Sequence, residues 1–312
     1  MSTIPAAVIL AVITLCLSGA AARATDPVDV RAMQAIAKST RADKSLGWGV
    51  KSGDPCDGSW PGVRCDKDLG RVTAIDASNG GLAGTISGTD LSDLMYLSSL
   101  DLSRNRLDAI TAFPTPPRPL RCLTYLNLSS NVFSDTPQYL LFSFPALETF
   151  TMDDNEGDLF SVSFLVDLVR CPALRTFSAN NSTLYGELSN YLGNGTIFPV
   201  LERVSLAGKS LLDDVHPDWG MNSKIKFLDI RNQSFDGERL LRGRLDFIAG
   251  MTDLVEIHVR DNLFDGPLPD VSGLVNLRMF DVANNNLCGR LNFPSGVAVN
   301  VDGNPGVGKD CP

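Results

Sequence analysis

A short apolar pattern, LxxLxLxxNxL, recurs along this chain and restricts its fold more than any other feature. Each repeat can be anchored on its second apolar position, and the anchors follow one another at intervals of 23–29 residues. The nine anchors are Ile75, Leu100, Leu126, Phe150, Phe177, Val204, Leu228, Ile257 and Phe280. Self-similarity at this period is typical of a leucine-rich-repeat solenoid. We therefore predict an α/β repeat fold, a right-handed leucine-rich-repeat solenoid of about nine repeats with a parallel concave sheet and disulfide caps.

Each slot of the repeat has a physical role. The L-x-L portion predicts a short strand whose apolar residues face the core, while the intervening residues face outward. A buried Asn after the strand can bond backbone groups of adjacent coils. This slot holds Asn at positions 105, 131, 155, 262 and 285 and is degenerate at Gly80, Ser182, Lys209 and Gln233. We expect Lys209 to point outward, because a buried ammonium is costly.

The first 24 residues, MSTIPAAVILAVITLCLSGAAARA, predict a secretory signal peptide. An apolar run is followed by small residues and an A-x-A cleavage motif. An uncleaved anchor is the alternative, since the run approaches the length that spans a bilayer. The predicted organisation is a signal peptide at 1–24, an N-terminal cap at 25–71, leucine-rich repeats at 72–287 and a C-terminal cap at 288–312. We expect an extracellular protein of the apoplast or cell wall, membrane-attached if the signal segment is retained.

The cysteines predict two caps. Cys56 and Cys65 lie in GDPCDGSWPGVRC, after a helix that we expect to begin at Pro27 with Asp26 as its cap. The spacing lacks a second CxxC pair or a nearby His, so a structural disulfide is favoured over a zinc site. Cys288 and Cys311 bracket the C-terminal tail, and we expect them to pair.

The two remaining cysteines of the mature chain, Cys122 and Cys171, belong to repeats two coils apart. Their separation would exceed the reach of a disulfide, because adjacent coils stack at about 4.8 Å and bridged Cα atoms lie within about 7 Å. We expect both to remain thiols and to be largely buried.

Charge and sequons fit a secreted chain. The formal net charge is −9, which argues against nucleic acid as a partner. Potential N-glycosylation sites occur at Asn127, Asn180, Asn181, Asn194 and Asn232. Because Asn127 lies in an outward strand slot, a glycan there would block that part of the concave face.

We find no pattern that predicts catalysis, a metal or a cofactor. Kinase HRD and DFG motifs and GxSxG are absent, and LAGKS (206–210) has Arg203 where a phosphate loop needs Gly. The two histidines, His216 and His258, lie far apart in the repeat count. Asp76 and Asp101 would sit about 5 Å apart on adjacent strands, as in a retaining glycosidase. An open solenoid face offers no pocket to exclude water there, so we predict that the chain is not an enzyme.

The outward slots of repeats five to eight predict the binding surface. Arginines and an aromatic side chain are the types enriched in interface hot spots, and basic groups could hold a partner's carboxylate. The predicted ligand-binding residues are Arg203, Phe227, Asp229, Arg231, Glu256, His258 and Arg260. The alternative is an ordinary charged face on which Asp229 and Glu256 pair with the arginines.

Several segments resemble one plant family. The N-cap pattern, FSANNSTLYGELSNYLG (177–193), KIKFLDIRNQSFDG and FDGPLPDVSGLVNLRMFDVANNNL resemble the first ectodomain block of the transmembrane-kinase (TMK) family of receptor kinases. The resemblance covers nearly all of residues 26–310. It implies cell-surface signalling, including auxin responses through extracellular auxin-binding proteins. Family members also carry a cysteine-containing island, a second repeat block, a membrane span and a kinase, so the sequence is read as an ectodomain-only member.

The sequence therefore predicts a secreted, non-catalytic, receptor-like recognition protein. Its expected partners are an extracellular protein, a small molecule or a peptide, with receptor kinases or auxin-binding proteins implied by the resemblance. The alternative is an inhibitor of secreted enzymes of the polygalacturonase-inhibitor type. Irregular repeat lengths and the near absence of GxIP, approached only by GPLP (266–269), argue against it. A third interpretation is a truncated gene product, which a transcript continuing into a membrane span would support.

Overall fold

A computed structural model describes residues 24–114, 118–133, 140–155, 160–161, 167–182, 184–188, 192–208, 210–235, 238–239 and 241–311. The chain divides into two compact units, 1–149 and 150–312. The predictions for the signal peptide, apart from Ala24, and for Lys209 lie outside the described residues. No helix in the described part of the chain has the length and apolar character needed to cross a membrane.

The first unit combines a helical cap with the first coils. Its helices are α1 (Pro27–Ser39), α2 (Ala42–Ser45) and α3 (Gly88–Asp93), with a 3₁₀ helix at Leu140–Ser143. Its strands are β1 (Val63–Asp66), β2 (Arg71–Asp76), β3 (Ala83–Ile86), β4 (Ser99–Asp101), β5 (Arg106–Ile110) and β6 (Tyr125–Asn127). Strand β1 pairs antiparallel with β2, after which β2, β4 and β6 run parallel, and β3 pairs parallel with β5 in a second sheet. Strand β7 (Thr149–Thr151) falls at the boundary of the units.

The second unit alternates between two parallel sheets. One contains β9 (Thr176–Ser178), β11 (Arg203–Ser205), β13 (Phe227–Asp229), β17 (Glu256–His258), β19 (Met279–Asp281) and β21 (Ala298–Asn300). The other contains β8 (Phe160–Ser161), β10 (Leu184–Glu187), β12 (Ser210–Asp214), β16 (Leu241–Gly243), β18 (Leu263–Pro267), β20 (Asn286–Gly289) and β22 (Gly306–Val307). Strands β14 (Ser234–Phe235) and β15 (Glu238–Arg239) form a small hairpin. Short 3₁₀ helices lie at Leu168–Arg170, Pro217–Gly220 and Leu245–Gly250.

This alternation of strands confirms the predicted leucine-rich-repeat solenoid. All nine anchor residues are buried, with at most 2% of their surface exposed. Each fully buried Leu, Ile, Val or Phe contributes about 1.5–3 kcal/mol of hydrophobic stabilisation, so the repeated pattern supplies the core. Strands β21 and β22 place one further coil inside the segment 288–312, which the sequence analysis treated as a cap.

A ladder of buried amides joins neighbouring coils. Asn262 is typical: its Nδ2 donates to Ile230 O at 3.0 Å and Val259 O at 2.9 Å, and its Oδ1 accepts from Gln233 N. Asn105, Asn131, Asn285 and Asn304 make equivalent bonds. These bonds satisfy the backbone C=O and N–H groups of the residues that follow each strand. Without the amides, these groups would be buried without partners.

The expectation that Gln233 is a degenerate member of this ladder was wrong. Its side chain is fully buried, and Nε2 donates to Leu206 O at 2.7 Å while Oε1 accepts from Leu211 N at 3.3 Å. The glutamine therefore makes the same bonds to the preceding coil as an asparagine. The repeat pattern specifies Asn at this slot and therefore did not identify Gln233. Glutamine carries the same carboxamide as asparagine, one methylene further from the backbone, and can make the same bonds.

The N-terminal cap forms as predicted around α1. Asp26 caps the helix by accepting from Val28 N at 2.8 Å, and Pro27 occupies its first position. The disulfide between Cys56 and Cys65 is present, and Trp60, which is buried, stacks on Trp48 at a centroid distance of 5.6 Å.

One important residue of the cap was not predicted from the sequence. Asp29 lies on the buried face of α1 with no exposed surface. Its carboxylate accepts from Arg71 Nη2 at 2.7 Å and from Val72 N at 2.7 Å, which joins the helix to the first repeat strand. Burial raises the pKa of Asp29, although the bonds from Arg71 and Val72 oppose that shift.

Of the predictions for the remaining cysteines, those for Cys288, Cys311 and Cys171 are confirmed and the one for Cys122 is wrong. Cys288 and Cys311 are bonded as expected. Cys171 is a buried thiol, and desolvation raises its pKa to about 12. Cys122 is half-buried and disulfide-bonded, so the expectation of a thiol was wrong there. The distance between coils rules out a bridge to Cys171 but not a bridge to another cysteine.

Candidate ligand-binding face and cleft

The structure brings five of the seven predicted ligand-binding residues onto three hydrogen-bonded strands of the second unit and the other two just beyond the ends of these strands. Arg203 of β11 is in register with Phe227 of β13 and Glu256 of β17. One slot further along, Asp229 is in register with His258. The other two, Arg231 and Arg260, follow two residues after the ends of β13 and β17. We call these seven residues the strand face.

An aromatic contact organises one side of the strand face. The Arg203 guanidinium carbon lies 3.5 Å from the centroid of the Phe227 ring. On the other side of Phe227, the His258 ring lies at a centroid distance of 5.6 Å. Because a guanidinium over an aromatic ring is held by the ring quadrupole, the ring orients the exposed Arg203 side chain, which has no acidic partner among the described residues.

Asp229 is buried beneath Arg231 and is not exposed to a ligand. Only 4% of its surface is accessible, and it accepts from Arg231 N and lies 3.4 Å from Arg231 Nε. Burial raises the pKa of Asp229, and the hydrogen bond and charge of Arg231 oppose that shift. The outward slot that the sequence predicted is thus covered at this strand, and Asp229 positions the side chain of Arg231.

His258 and Arg260 share the carboxylate of Asp281. His258 Nδ1 lies 3.7 Å and Arg260 Nε lies 3.6 Å from Asp281 Oδ2. These distances exceed those of a hydrogen bond, and both nitrogens are buried without a hydrogen-bond partner. Glu256 lies 3.7 Å from His258 Nε2, so its partner is the histidine and not an arginine as the ion-pair alternative expected.

A polar cleft of about 550 Å³ lies where these parallel strands end. Two strand-face residues, Arg231 and Arg260, line it. The other lining residues were not predicted to bind a ligand. They are Asp153, Asp154, Asn180, Asn181, Ala207, Gly208, Asn232 and Asp261. The cleft therefore extends the strand face over the ends of five successive strands, β7, β9, β11, β13 and β17.

The cleft is built from a repeated backbone conformation. Asp154, Asn181, Gly208, Asn232 and Asp261 all have positive φ angles, between 45° and 65°. Asn, Asp and Gly are the residue types that adopt this left-handed region most readily. In each coil this residue directly precedes the slot of the amide ladder. That Asn, Asp or Gly preference is the sequence signal that could have located the cleft.

The five sequon asparagines differ in how their amide groups are engaged. Asn127 Nδ2 donates to Asp101 Oδ2, and Asn180 Nδ2 donates to Ser178 Oγ at 3.0 Å. Asn181 Nδ2 donates to Asp154 Oδ1. Asn194 is half-buried in a turn, where its Oδ1 accepts from Thr196 N, and Asn232 is exposed.

These differences predict unequal glycosylation. In protein secreted from plant cells, we expect glycopeptide mass spectrometry to find a glycan on Asn194 and none on Asn127 or Asn180. The reason is that a glycan replaces a hydrogen of Nδ2, and in the latter two that nitrogen bonds within the fold. As matched variants, Thr196→Ala should lower the protein mass by one glycan, whereas Ser129→Ala should leave the glycan mass unchanged. A glycan recovered on Asn127 would contradict this prediction.

The acidic pair of the first unit has an internal role. Asp76 and Asp101 are in register on β2 and β4. Asp76 accepts from Ser78 of its own coil, while Asp101 accepts from Tyr125 and Asn127 of the next coil, so both carboxylates are engaged within the fold. Within the described ranges, no three His, Cys, Asp or Glu side chains are grouped to hold a metal ion.

Comparison with known proteins agrees with this architecture. The family model described as leucine rich repeat N-terminal domain matches residues 26–66. Receptor-like kinase TMK2 of Arabidopsis thaliana is 30% identical over 262 residues, which are 84% of this chain and 28% of that protein. The chain thus spans under a third of the length of this relative.

Solved structures show the same fold. A plant ice-binding protein superposes with a TM-score of 0.61 at 22% identity, covering 88% of this chain and 91% of that protein. The ectodomain of the Arabidopsis thaliana receptor kinase GASSHO1/SCHENGEN3, solved in complex with CASPARIAN STRIP INTEGRITY FACTOR 2, has a TM-score of 0.54 at 22% identity. That match covers 85% of this chain and 27% of the receptor. The chain is a leucine-rich-repeat protein related to the leucine-rich-repeat receptors of plants.

Proposed function

We propose that this chain is an extracellular, non-catalytic recognition module of the receptor-like type, and that its ligand contacts the strand face of the second unit. One observation carries the proposal. Seven charged or aromatic side chains lie on or directly after three adjacent strands, and two of them continue into a polar cleft. Repeat proteins use such continuous strand surfaces to bind partners.

The composition of this surface supports protein or peptide recognition. Arg203 and Phe227 form a pre-ordered pair, and arginine and aromatic side chains are enriched among residues that dominate binding energy. Arg231 and Arg260 are held by carboxylates that are nearly buried beneath them. A surface whose side chains are already ordered loses less conformational entropy when a partner binds.

The relatives suggest the biological setting. TMK2 is named a receptor-like kinase, and the GASSHO1/SCHENGEN3 ectodomain was solved with a bound integrity factor. By analogy, we propose that this chain recognises an extracellular ligand and transmits the signal through a partner kinase. The resemblance to the transmembrane-kinase family extends the proposal to secretion, N-glycosylation and a link to auxin-binding proteins.

The proposal is tested by affinity capture with the tagged mature chain from plant cell-wall and plasma-membrane extracts, with mass spectrometry as the readout. The comparison variant is Arg231→Glu with Arg260→Glu. We expect receptor kinases or auxin-binding proteins to be recovered with the wild type and lost with the variant, because the reversed charges repel the groups that the arginines attract. The yield of secreted variant should match that of the wild type.

A second arginine variant serves as the control. Arg290→Glu changes a side chain that is 83% exposed, whose only described ion pair joins it to the exposed Asp310. It should capture the same partners as the wild type. Recovery of pectin-degrading enzymes instead would identify an inhibitor, and partner recovery that is equal for all three proteins would overturn the assignment of the strand face.

A further inference from the structure

We infer that the cleft at the strand ends binds an extended peptide segment carrying opposite charges four to six residues apart. The basic side chain of the peptide contacts Asp154, and its acidic group contacts Arg231 and Arg260. This inference rests on the proposed recognition function and specifies the ligand of the same region. It follows from three features of the cleft: separated charges, regular spacing and small lining residues between the two ends.

The two ends of the cleft present opposite charges. At one end, Asp154 is exposed, its Oδ1 is held by Asn181 Nδ2 at 3.0 Å, and no cation of the described residues lies within ion-pair distance. Asp153 stands beside it and accepts from Ser178 Oγ and Asn180 N. An exposed carboxylate fixed by neighbouring amides and without a described counter-ion is a suitable contact for a ligand cation.

At the other end, the arginines are the accessible half of their ion pairs. The side chains of Arg231 and Arg260 are 39% and 44% exposed, against 6% for Asp229, 11% for Asp281 and 29% for Asp261. Asp261 also accepts from Asn284 Nδ2, so its charge is engaged within the fold. Their contacts to these carboxylates, and that of Arg260 to Asp261, run through Nε at 3.4–3.7 Å. The terminal Nη nitrogens are therefore left to donate to both oxygens of a ligand carboxylate.

The distance between the ends is set by the strand spacing. The five coils are joined in order by the bonds Asp154 N to Asn180 O, Asn181 N to Ala207 O, Gly208 N to Arg231 O and Asn232 N to Arg260 O, each 2.8–3.0 Å. Three to four steps of about 4.8 Å separate the acidic end from the two arginines, which gives roughly 14–19 Å. An extended peptide rises about 3.3 Å per residue, so four to six residues cover this distance.

The middle of the cleft favours a backbone over a bulky group. Its lining includes Ala207 and Gly208, which are small, and the amides of Asn180, Asn181 and Asn232. The Asn180 amide and Asn181 Nδ2 bond within the fold, so the exposed Asn232 amide is the one placed to pair with the N–H and C=O groups of an extended chain. A ligand of one charge sign, such as an oligouronate, would meet the carboxylates at the acidic end and be repelled.

The test is selection from a random octapeptide display library, with blocked peptide ends and the full mature chain as the target. We expect the wild type to enrich peptides with one basic and one acidic residue four to six positions apart. Against the best peptide, Arg231→Glu with Arg260→Glu should raise Kd at least about tenfold, since it replaces two attractive contacts by repulsive ones. The control Arg290→Glu should leave Kd unchanged.

A specificity switch makes the test sharper. Asp154→Lys makes both ends of the cleft cationic, so its selection should change to peptides with acidic residues at both positions. Enrichment without a spaced charge pair, or the same selection by Asp154→Lys and wild type, would overturn the inference. If affinity capture still recovers an arginine-dependent partner in that case, the proposed recognition function stands while the peptide assignment fails.

The native glycan provides a further discriminating outcome. Asn232 lies in the cleft within a sequon, and a glycan there would fill the peptide path. Ser234→Ala removes this sequon and keeps Asn232. The inference expects wild type secreted from plant cells and Ser234→Ala to bind the selected peptide equally. Binding by Ser234→Ala alone would overturn the inference for the secreted protein, because its own glycan would occupy the cleft.

Discussion

Asp29→Ala is expected to lower the free energy of unfolding of the first unit by about 3–5 kcal/mol, because it removes one partner of a buried ion pair. The side chain of Asp29 is inaccessible and that of Arg71 is only 14% exposed. Without the carboxylate, Arg71 loses its short buried ion pair and keeps weaker contacts to Asp26 at 3.4 Å, to Asp93 O at 3.5 Å and to the Tyr96 ring. Val72 N loses its acceptor. Urea denaturation at pH 7, followed by tryptophan fluorescence, measures the change, since Trp48 and Trp60 lie in this cap.

Two further variants distinguish the mechanism. Asp68→Ala removes an exposed carboxylate of the same cap and should change stability by less than about 0.5 kcal/mol. The double variant Asp29→Leu with Arg71→Met should be less destabilised than Asp29→Ala, because no uncompensated charge stays buried. Equal stability of Asp29→Ala and wild type would show that the link between helix and first repeat strand is dispensable.

Gln233→Leu is expected to destabilise the second unit by about 2–4 kcal/mol, because it leaves Leu206 O and Leu211 N buried without their side-chain partner. The hydrophobic gain is small, since leucine cannot replace a carboxamide surrounded by backbone polar groups. Chemical denaturation followed by circular dichroism gives the overall change. Hydrogen exchange of peptides covering 206–211 should show the local loss of protection.

The matched variant is Gln233→Asn. Asparagine performs this task in five other coils, so the shorter carboxamide should retain most of the stability, within about 1 kcal/mol of the wild type. If Gln233→Leu and Gln233→Asn were equally stable, the ladder bond at this coil would contribute nothing, and shape alone would determine the residue.

Features that depend on local order along the chain were predictable. The nine anchors, the ladder asparagines and the cap at Asp26 follow from period, polarity and backbone preference, which neighbouring residues determine. Both predicted disulfides are present, because each joins residues close in sequence at one end of the repeats. The placement of the strand-face residues on adjacent strands followed from the same periodicity.

Features that depend on contacts between distant residues were not predictable. Asp29 and Arg71 are 42 residues apart, so their buried pair leaves no periodic signal. The burial of Gln233 and Asp229 depends on the neighbouring coils, so it cannot be read from the local sequence. The disulfide of Cys122 could not be predicted from its distance to Cys171, because Cys171 is not its partner.

The sequence by itself determined the solenoid, because a repeated pattern places equivalent residues in equivalent positions. Only the tertiary structure decided which charges are exposed and which face each other. Asp154, Arg231 and Arg260 belong to different repeats, and stacking of the coils is what places them around one cleft.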